Sequence, residues 1–488
     1  MTYAITQSCC ADATCVSVCP VNCIHPTPDE PDFGTTDRLY IDPRACIGCG
    51  ACADACPVEA IFPIDHLTGS QAVHIELNAQ HFSEVDQDHS WGHPRFPRSL
   101  PAQAAAPRVA VVGTGPAAGY AIQSLLRSTD AEITVLDRMT EPGGLVKFGV
   151  APDHPSTKRI GNTFATNYEH PRVRLRLGVE VGREVSHADL KEHFNAVVYA
   201  VGAPGHRKPG IPGEDLPGTL AAREFVSWCN GHPDIPADAI DLSAERVVIV
   251  GNGNVALDAA RLLLTDPKEL TGTEISEHAL AALRESKVRE VVLLARRGPD
   301  RAAYTRSELL GLRQTLGDRM VVDAHGDAAT TIAAAEDGST AALLRDLPIS
   351  EISWDAVPEE RRLVLRFASP PAEVSGDAQV RGIRIADGDD HVEVESGLVM
   401  WSVGSRGVAI PQLPFDETTG TITNTGGRVE PGTYVVGWAK RGASGGIGAN
   451  RTCASETVDA LMDDAAAGAL HSPAKDAKSF TKLLRSRK

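Results

Sequence analysis

The chain has 488 residues, 42% hydrophobic and 23% charged, which is ordinary for globular protein and long enough for about three domains. It lacks the long unbroken apolar run of a membrane-spanning helix, and Met1–Cys10 lacks the basic and apolar stretches of a signal peptide, so the cytosol is the expected compartment. The net charge of −17 argues against a nucleic-acid binder and is unevenly placed: residues 1–90 hold thirteen acidic side chains against only Arg38 and Arg44.

Nine of the eleven cysteines fall before residue 57. In a cytosolic chain such density points to metal ligation rather than disulfides. Cys46-x2-Cys49-x2-Cys52-x3-Cys56-Pro57 is the bacterial ferredoxin run, whose fourth cysteine ligates the other cluster. Gly48 and Gly50 let that loop curl at no steric cost. Upstream, Cys15-x3-Cys19-Pro20 repeats the second half of the pattern, which predicts a pseudo-twofold domain in which each half lends a ligand to the other. Cluster two is then a [4Fe–4S] centre on Cys19, Cys46, Cys49 and Cys52. Cluster one has Cys15, Cys56 and one of Cys9 or Cys10, of which we assign Cys9. Three ligands favour a [3Fe–4S] centre, with a second [4Fe–4S] as the alternative. Cys23 is expected beside cluster two as a free thiol. A zinc knuckle does not suit so many cysteines in this repeat. Residues 1–85 resemble the seven-iron bacterial ferredoxins.

The stretch after Glu84 contains Pro94, Pro97, Pro101 and Pro107 without periodicity and reads as a linker over 86–107. Val109–Val112 then reads as a buried parallel strand. It leads into Gly113-Thr-Gly115-Pro-Ala-Ala118 and a helical stretch over Gly119–Arg127. The next strand, Ile133–Leu136, ends in Asp137, placed to accept from ribose hydroxyls. Here glycines permit a sharp turn and close approach to a pyrophosphate, and the helix N-terminus favours its charge. A second copy runs from Arg246 into Gly251-Asn-Gly253-Asn254-Val-Ala256-Leu-Asp258 and a helix over Ala259–Leu264. Its following strand, Val291–Leu294, ends in Arg296-Arg297 instead of an acid. Guanidinium groups hold a 2′-phosphate, so this site should select NADPH over NADH.

Two such sites in one chain are the pattern of a flavoprotein pyridine-nucleotide oxidoreductase, with FAD in the first and NADP in the second. The expected fold is α/β: two Rossmann-like dinucleotide-binding domains preceded by a small α+β bacterial-type ferredoxin domain. The FAD domain is discontinuous over 108–210 and 400–465, with the NADP domain over 211–399 inserted. Gly432–Gly437 and Trp438 return the chain to the FAD domain. Residues 325–342 and 369–380 read as loops or an excursion within a domain, and 466–488 as a tail.

The segments GLVKFGVAPDHPS (144–156), IPGE (211–214), GNGNVALDAAR (251–261), RRG (296–298) and GWAKRGASGGIGA (437–449) resemble the adrenodoxin-reductase class of ferredoxin–NADP reductases over about residues 107–462. With the N-terminal clusters, the whole resembles the actinobacterial type in which a seven-iron ferredoxin is fused to that reductase. The resemblance implies that Gly113, Gly115, Ala118, Asp137 and Leu145 line FAD. Trp438 would pack near the isoalloxazine and nicotinamide rings, and Gly445 and Ile447 would aim backbone N–H groups at the flavin O2 edge. Gly251, Gly253, Asn254, Arg296, Arg297 and Glu308 fall at NADP positions. His154 matches a family histidine near the flavin. The family's second carboxylate, three positions after Glu308, is Gly311 here, and its GPTG is GASG.

The implied activity passes electrons from NADPH through FAD to the iron–sulfur clusters or to a soluble ferredoxin, and onward to haem-thiolate monooxygenases or similar acceptors. The alternatives are ferredoxin-driven NADP reduction and a diaphorase-type reductase with another one-electron acceptor. A dithiol reductase is disfavoured, because only Cys229 and Cys453 lie beyond residue 56 and they form no C-x2-C pair. Free ferredoxins are acidic, so a basic docking surface including Lys440 and Arg441 is expected.

Overall fold

Apolar β-branched runs bounded by glycine turns build the two large sheets. In the computed structural model, which describes residues 2–83, 89, 98–100, 106–387 and 390–487, the chain divides into two compact units. The first comprises 1–147, 156–205 and 405–488; the second comprises 148–155 and 206–404. Residues 148–155, expected with 108–210, therefore belong to the second unit. The linker expected over 86–107 lies largely outside the described residues. Of its described part, Arg98 pairs with Asp463 (2.6 Å) and the Leu100 N–H donates to Ser128 O (3.2 Å).

The N-terminal part of the first unit is small and α+β. Strand Tyr3–Ile5 pairs antiparallel with Ile61–Pro63, and Ile24–His25 with Tyr40–Ile41. Helix Val73–His81 packs against Tyr3–Ile5 of one pair and Tyr40–Ile41 of the other. Its buried Asn78 accepts from the N–H groups of Ile5 and Ile41 and donates to Ile5 O, so one amide ties the two hairpins together. The backbone carries the expected pseudo-twofold repeat. Gly48 and Gly50 have φ of +70° and +78°, four and two residues before Cys52. Ala11 and Ala13 have φ of +52° and +60°, at the same offsets before Cys15. Non-glycine residues take that conformation at a cost of roughly 1–2 kcal/mol each.

The remainder of the first unit is a six-stranded sheet in the order Arg428–Glu430, Thr433–Val435, Ala196–Tyr199, Arg108–Val112, Glu132–Asp137, Val173–Leu177. All neighbours but the first pair run parallel. Chain order reverses between Arg108–Val112 and Ala196–Tyr199, the switch point at which such sheets bind ligands outside their carboxyl ends. Helices Pro116–Ser128 and Ala449–Ala466 pack together on this sheet. The expected tail contains a further helix, Ala477–Arg487, anchored by buried Phe480 and Leu484. Two apolar side chains one turn apart suffice to dock it, with Phe480 against Phe194 at 5.0 Å between ring centroids.

The second unit repeats the plan with a seven-stranded parallel sheet, ordered Thr219–Ala221, Leu398–Trp401, Arg246–Val250, Glu290–Leu294, Arg362–Arg366, Met320–Asp323, Ile349–Ser350. A three-stranded antiparallel sheet, Pro371–Ser375, Gly382–Asp387 and Asp390–Glu395, adjoins it. The segments expected as loops or an excursion within the domain carry regular structure: 369–380 contains the strand Pro371–Ser375, and 325–342 contains the helix Ala328–Ala333. The strand forms because Val374, inward-facing and buried, joins Ile383, Ile385 and Val394 in one apolar cluster.

Candidate functional site

The two glycine turns are built alike. Gly113 has φ +111°, and a Cβ there would lie 2.5 Å from Ala200 O. Gly251 has φ +114°, and a Cβ there would lie 2.3 Å from Ser402 O. Each turn is held by matching bonds, Gly113 N–H to Leu136 O and Gly251 N–H to Leu294 O. In each, the second glycine, Gly115 or Gly253, caps a helix, and a Cβ on it would meet nothing within 4 Å. The backbone is therefore bare where a pyrophosphate would approach a helix N-terminus. Both turns fit a dinucleotide.

Around the first turn, Thr114 Oγ1 donates to Asp137 (2.5 Å) and accepts from the Gly143 N–H (3.2 Å). Asp137 keeps acceptor capacity at the strand end, where a ribose would lie. Gly144, with φ +51°, stacks on Gly115 and leads into the helix Leu145–Phe148. Ala118 is buried, but the close-packing residue is its neighbour Gly119, where a Cβ would meet the Phe164 ring at 2.3 Å. The strand Thr433–Val435 leads to Gly437, which caps the short helix Trp438–Arg441. The Trp438 indole N–H donates to Ser444 O and Gly445 O. Arg441 donates to Asn450 Oδ1, and Asn450 Nδ2 donates to Gly446 O and Ile447 O. The glycine loop carrying Gly445 and Ile447 is thus stapled from both sides. Lys440 pairs with Glu456 (2.6 Å). Lys440 and Arg441, expected on a docking surface, are both engaged inside their own unit.

At the second turn, Asn254 accepts from the Thr305 N–H (2.9 Å) and fixes the loop leading to helix Arg306–Leu316. Arg296 and Arg297 are exposed, and among the described residues neither has a carboxylate within 4 Å. His154, Asp258 and Glu308 bring ring nitrogen and carboxylate oxygens within 4.8 Å of one another. Arg261 donates to both Asp153 oxygens (2.7 and 3.0 Å) and to Asp258 (2.7 Å). Burial, and then the Asp258 charge, raise the Glu308 carboxyl above its usual range. Asp258, part of the second glycine motif, thus joins His154 and Glu308, a meeting that spacing alone does not show. A Cβ at Gly311 would meet nothing within 4 Å.

Cys19, Cys23, Cys46, Cys49 and Cys52 line one cavity with Tyr3, Val21, Ile41, Ile47 and Gly50. The Cys23 thiol lies 3.5 Å from Cys19 Sγ, and with the Cys23 N–H it holds Cys19 well below the thiol range. Burial pushes the Cys52 thiol up to about 12 and the Cys9 thiol up to about 11. Metal ligation at these thiols would release their protons. Cys9, Cys15 and Cys56 pack in the core of the ferredoxin part, whereas Cys10 is buried in the apolar cluster of the large sheet. A donor set of thiols around an apolar cavity fits an iron–sulfur cluster.

A 4Fe-4S binding domain model matches residues 39–62, and a pyridine nucleotide-disulphide oxidoreductase model matches residues 107–297. A probable ferredoxin/ferredoxin–NADP reductase of Mycobacterium tuberculosis is 44% identical over an alignment covering 100% of this chain and 88% of that protein. The chain belongs to the ferredoxin/ferredoxin–NADP reductase family. The NADPH-ferredoxin reductase FprA of the same organism is 43% identical over 72% of this chain and 83% of its own. A structure of FprA in complex with NADPH superposes with a TM-score of 0.71, at 39% identity, covering 79% of this chain and 91% of that one. The α/β class with two dinucleotide folds and an N-terminal ferredoxin domain is accordingly that of the family.

Proposed function

We propose that the protein oxidises NADPH in its second unit, with FAD bound at the Gly113 turn, and delivers electrons one at a time to iron–sulfur clusters or ferredoxin. The duplicated glycine turn, with Arg296 and Arg297 beside the second copy only, carries this reading. Bound FAD would supply the conversion of a hydride into single electrons. The chain's own residues bind and position. Gly113, Gly115, Ala118, Asp137 and Leu145 shape the FAD cradle, and the stapled loop at Gly445 and Ile447 presents backbone N–H groups with Trp438 alongside. Gly251, Gly253 and Asn254 shape the nucleotide turn, while Arg296 and Arg297 select the 2′-phosphate. Glu308, its carboxyl raised above the usual range by burial and then by the Asp258 charge, lies next to His154.

Cys19, Cys46, Cys49 and Cys52 would hold a [4Fe–4S] cluster, and Cys9, Cys15 and Cys56 a [3Fe–4S] cluster. Onward acceptors of the haem-thiolate monooxygenase class and a cytosolic setting complete the reading. Anaerobic titration tests it: NADPH should bleach the flavin and then reduce the clusters, while NADH should do so poorly. A protein that takes up no hydride would overturn it. EPR of the oxidised protein tests the cluster types, since an oxidised [3Fe–4S] centre is paramagnetic and an oxidised low-potential [4Fe–4S] is not.

A further inference from the structure

The two sets of cysteines face different surroundings. Cys10 is buried in the same apolar cluster as Ala117, Tyr120 and Cys453 of the large sheet, and Cys9 and Cys56 pack against that cluster. The loop following Cys9 is clamped by the start of helix Ala449–Ala466, directly after the glycine loop assigned to the flavin. There the Gly448 N–H donates to Cys10 O (2.9 Å), and a Cβ on Gly448 would fall 1.9 Å from Ala11 O. Arg451 donates to Asp12 O (2.6 Å) and to Thr14 Oγ1 (3.4 Å). By contrast, among the described residues the cavity of Cys19, Cys46, Cys49 and Cys52 is lined only by residues 3–52. Its rim is open, with Ile47 63% exposed and Cys49 exposed.

Over residues 1–90 acidic side chains outnumber basic ones thirteen to two. Within residues 1–90 the basic side chains are Arg38, which is buried, and Arg44, which binds Asp42. Asp54 is exposed on the short helix that carries Cys52. The fused domain thus sets the Cys9–Cys10 turn against Gly448 and Arg451 and opens its cluster-two cavity at the Ile47–Cys49 edge, in a segment of acidic balance.

We propose that electrons enter the ferredoxin part at the Cys9–Cys15–Cys56 set, cross to the Cys19–Cys46–Cys49–Cys52 set, and leave at the Ile47–Cys49 edge to a one-electron acceptor protein with a basic rim. This rests on the function proposed above. Each NADPH becomes NADP+ with release of one proton, and two acceptor molecules each gain one electron. Gly448 and Arg451 are positioning residues for the entry, and a free acidic ferredoxin is the wrong partner for the exit.

The test uses the full-length holoprotein mixed anaerobically with NADPH and frozen at millisecond intervals for EPR, with flavin colour followed in parallel. In Cys56→Ala the flavin should bleach, dithionite should still reduce cluster two, and NADPH should fill cluster two more than an order of magnitude more slowly. Filling at the wild-type rate overturns the order. Should that variant not fold, Arg451→Ala decides, because it keeps every ligand: cluster one should fill several-fold more slowly, and an unchanged rate overturns the entry. For the exit, basic cytochrome c is the probe. Ile47→Arg, with the cluster EPR spectrum checked intact, and Asp54→Lys, outside the cavity, should each weaken its binding several-fold at low salt. Unchanged binding in both overturns the exit. Wild-type protein whose flavin fails to bleach with NADPH would instead overturn the function, a distinct result.

Discussion

Removing Arg296 and Arg297 should separate the two nicotinamide cofactors. Both side chains are exposed and, among the described residues, have no carboxylate within 4 Å, so their loss breaks no ion pair in the free protein. Stability should stay within about 0.5 kcal/mol of wild type. A charged hydrogen bond is worth roughly 1.5–3 kcal/mol, and solvent exposure places each guanidinium–phosphate contact at the lower end. One arginine is then worth about 10-fold in kcat/KM for NADPH and the pair about 100-fold, at about 1.4 kcal/mol per decade. NADH lacks the 2′-phosphate, so its kcat/KM should not move. The assay is steady-state ferricyanide reduction with each cofactor for Arg296→Ala, Arg297→Ala and the double variant, repeated at rising salt. Screening should erode NADPH turnover in wild type and leave the double variant nearly flat. Equal losses for NADPH and NADH, or a double variant within about 3-fold of wild type for NADPH, would refute the reasoning.

Gly119→Ala should cost about 1–3 kcal/mol by overpacking, because its Cβ would sit 2.3 Å from the Phe164 ring. Thermal unfolding should show the loss and its recovery in Gly119→Ala with Phe164→Leu; an unrecovered double variant sinks the steric explanation. Burial, and then the Arg38 guanidinium, lower His74 from its ordinary 6.5 to about 4. The folded state keeps it neutral while the unfolded chain protonates near pH 6.5, so its contribution is present above pH 6.5 and lost as pH falls toward 4. That amounts to about 3 kcal/mol. His74→Gln should flatten this part of the stability–pH curve, and an unchanged slope would assign it elsewhere. Asp258→Asn removes the second cause of the raised Glu308 pKa, so a Glu308-dependent limb of the kcat/KM profile should move to lower pH. A limb that stays in place would exclude the coupling.

Most of the chemistry was legible because it is local. A cysteine spacing states which thiols share one curl of chain, and Gly-x-Gly after an apolar strand states where backbone must come close to something bulky. The strand-end pair Arg296-Arg297 falls in the same class. Elsewhere a local pattern was insufficient. Ala118 fitted the third small position of the motif, yet the collision-limited residue is Gly119, because Phe164 comes from a helix 45 residues further on. Lys440 and Arg441 read as a basic patch until Glu456 and Asn450, one and more turns along another helix, claimed them.

The sequence by itself determined the cofactor classes and the order of the domains along the chain, since each depends on residues a few positions apart in a known local conformation. Tertiary structure alone decided that Asp258 joins His154 and Glu308, that the last helix docks through Phe480, and that the Cys9–Cys10 turn lies under Gly448 and Arg451. Those partners are more than 50 residues apart in most pairs. No spacing rule reaches so far, because which distant side chains meet is set by how whole sheets and helices pack.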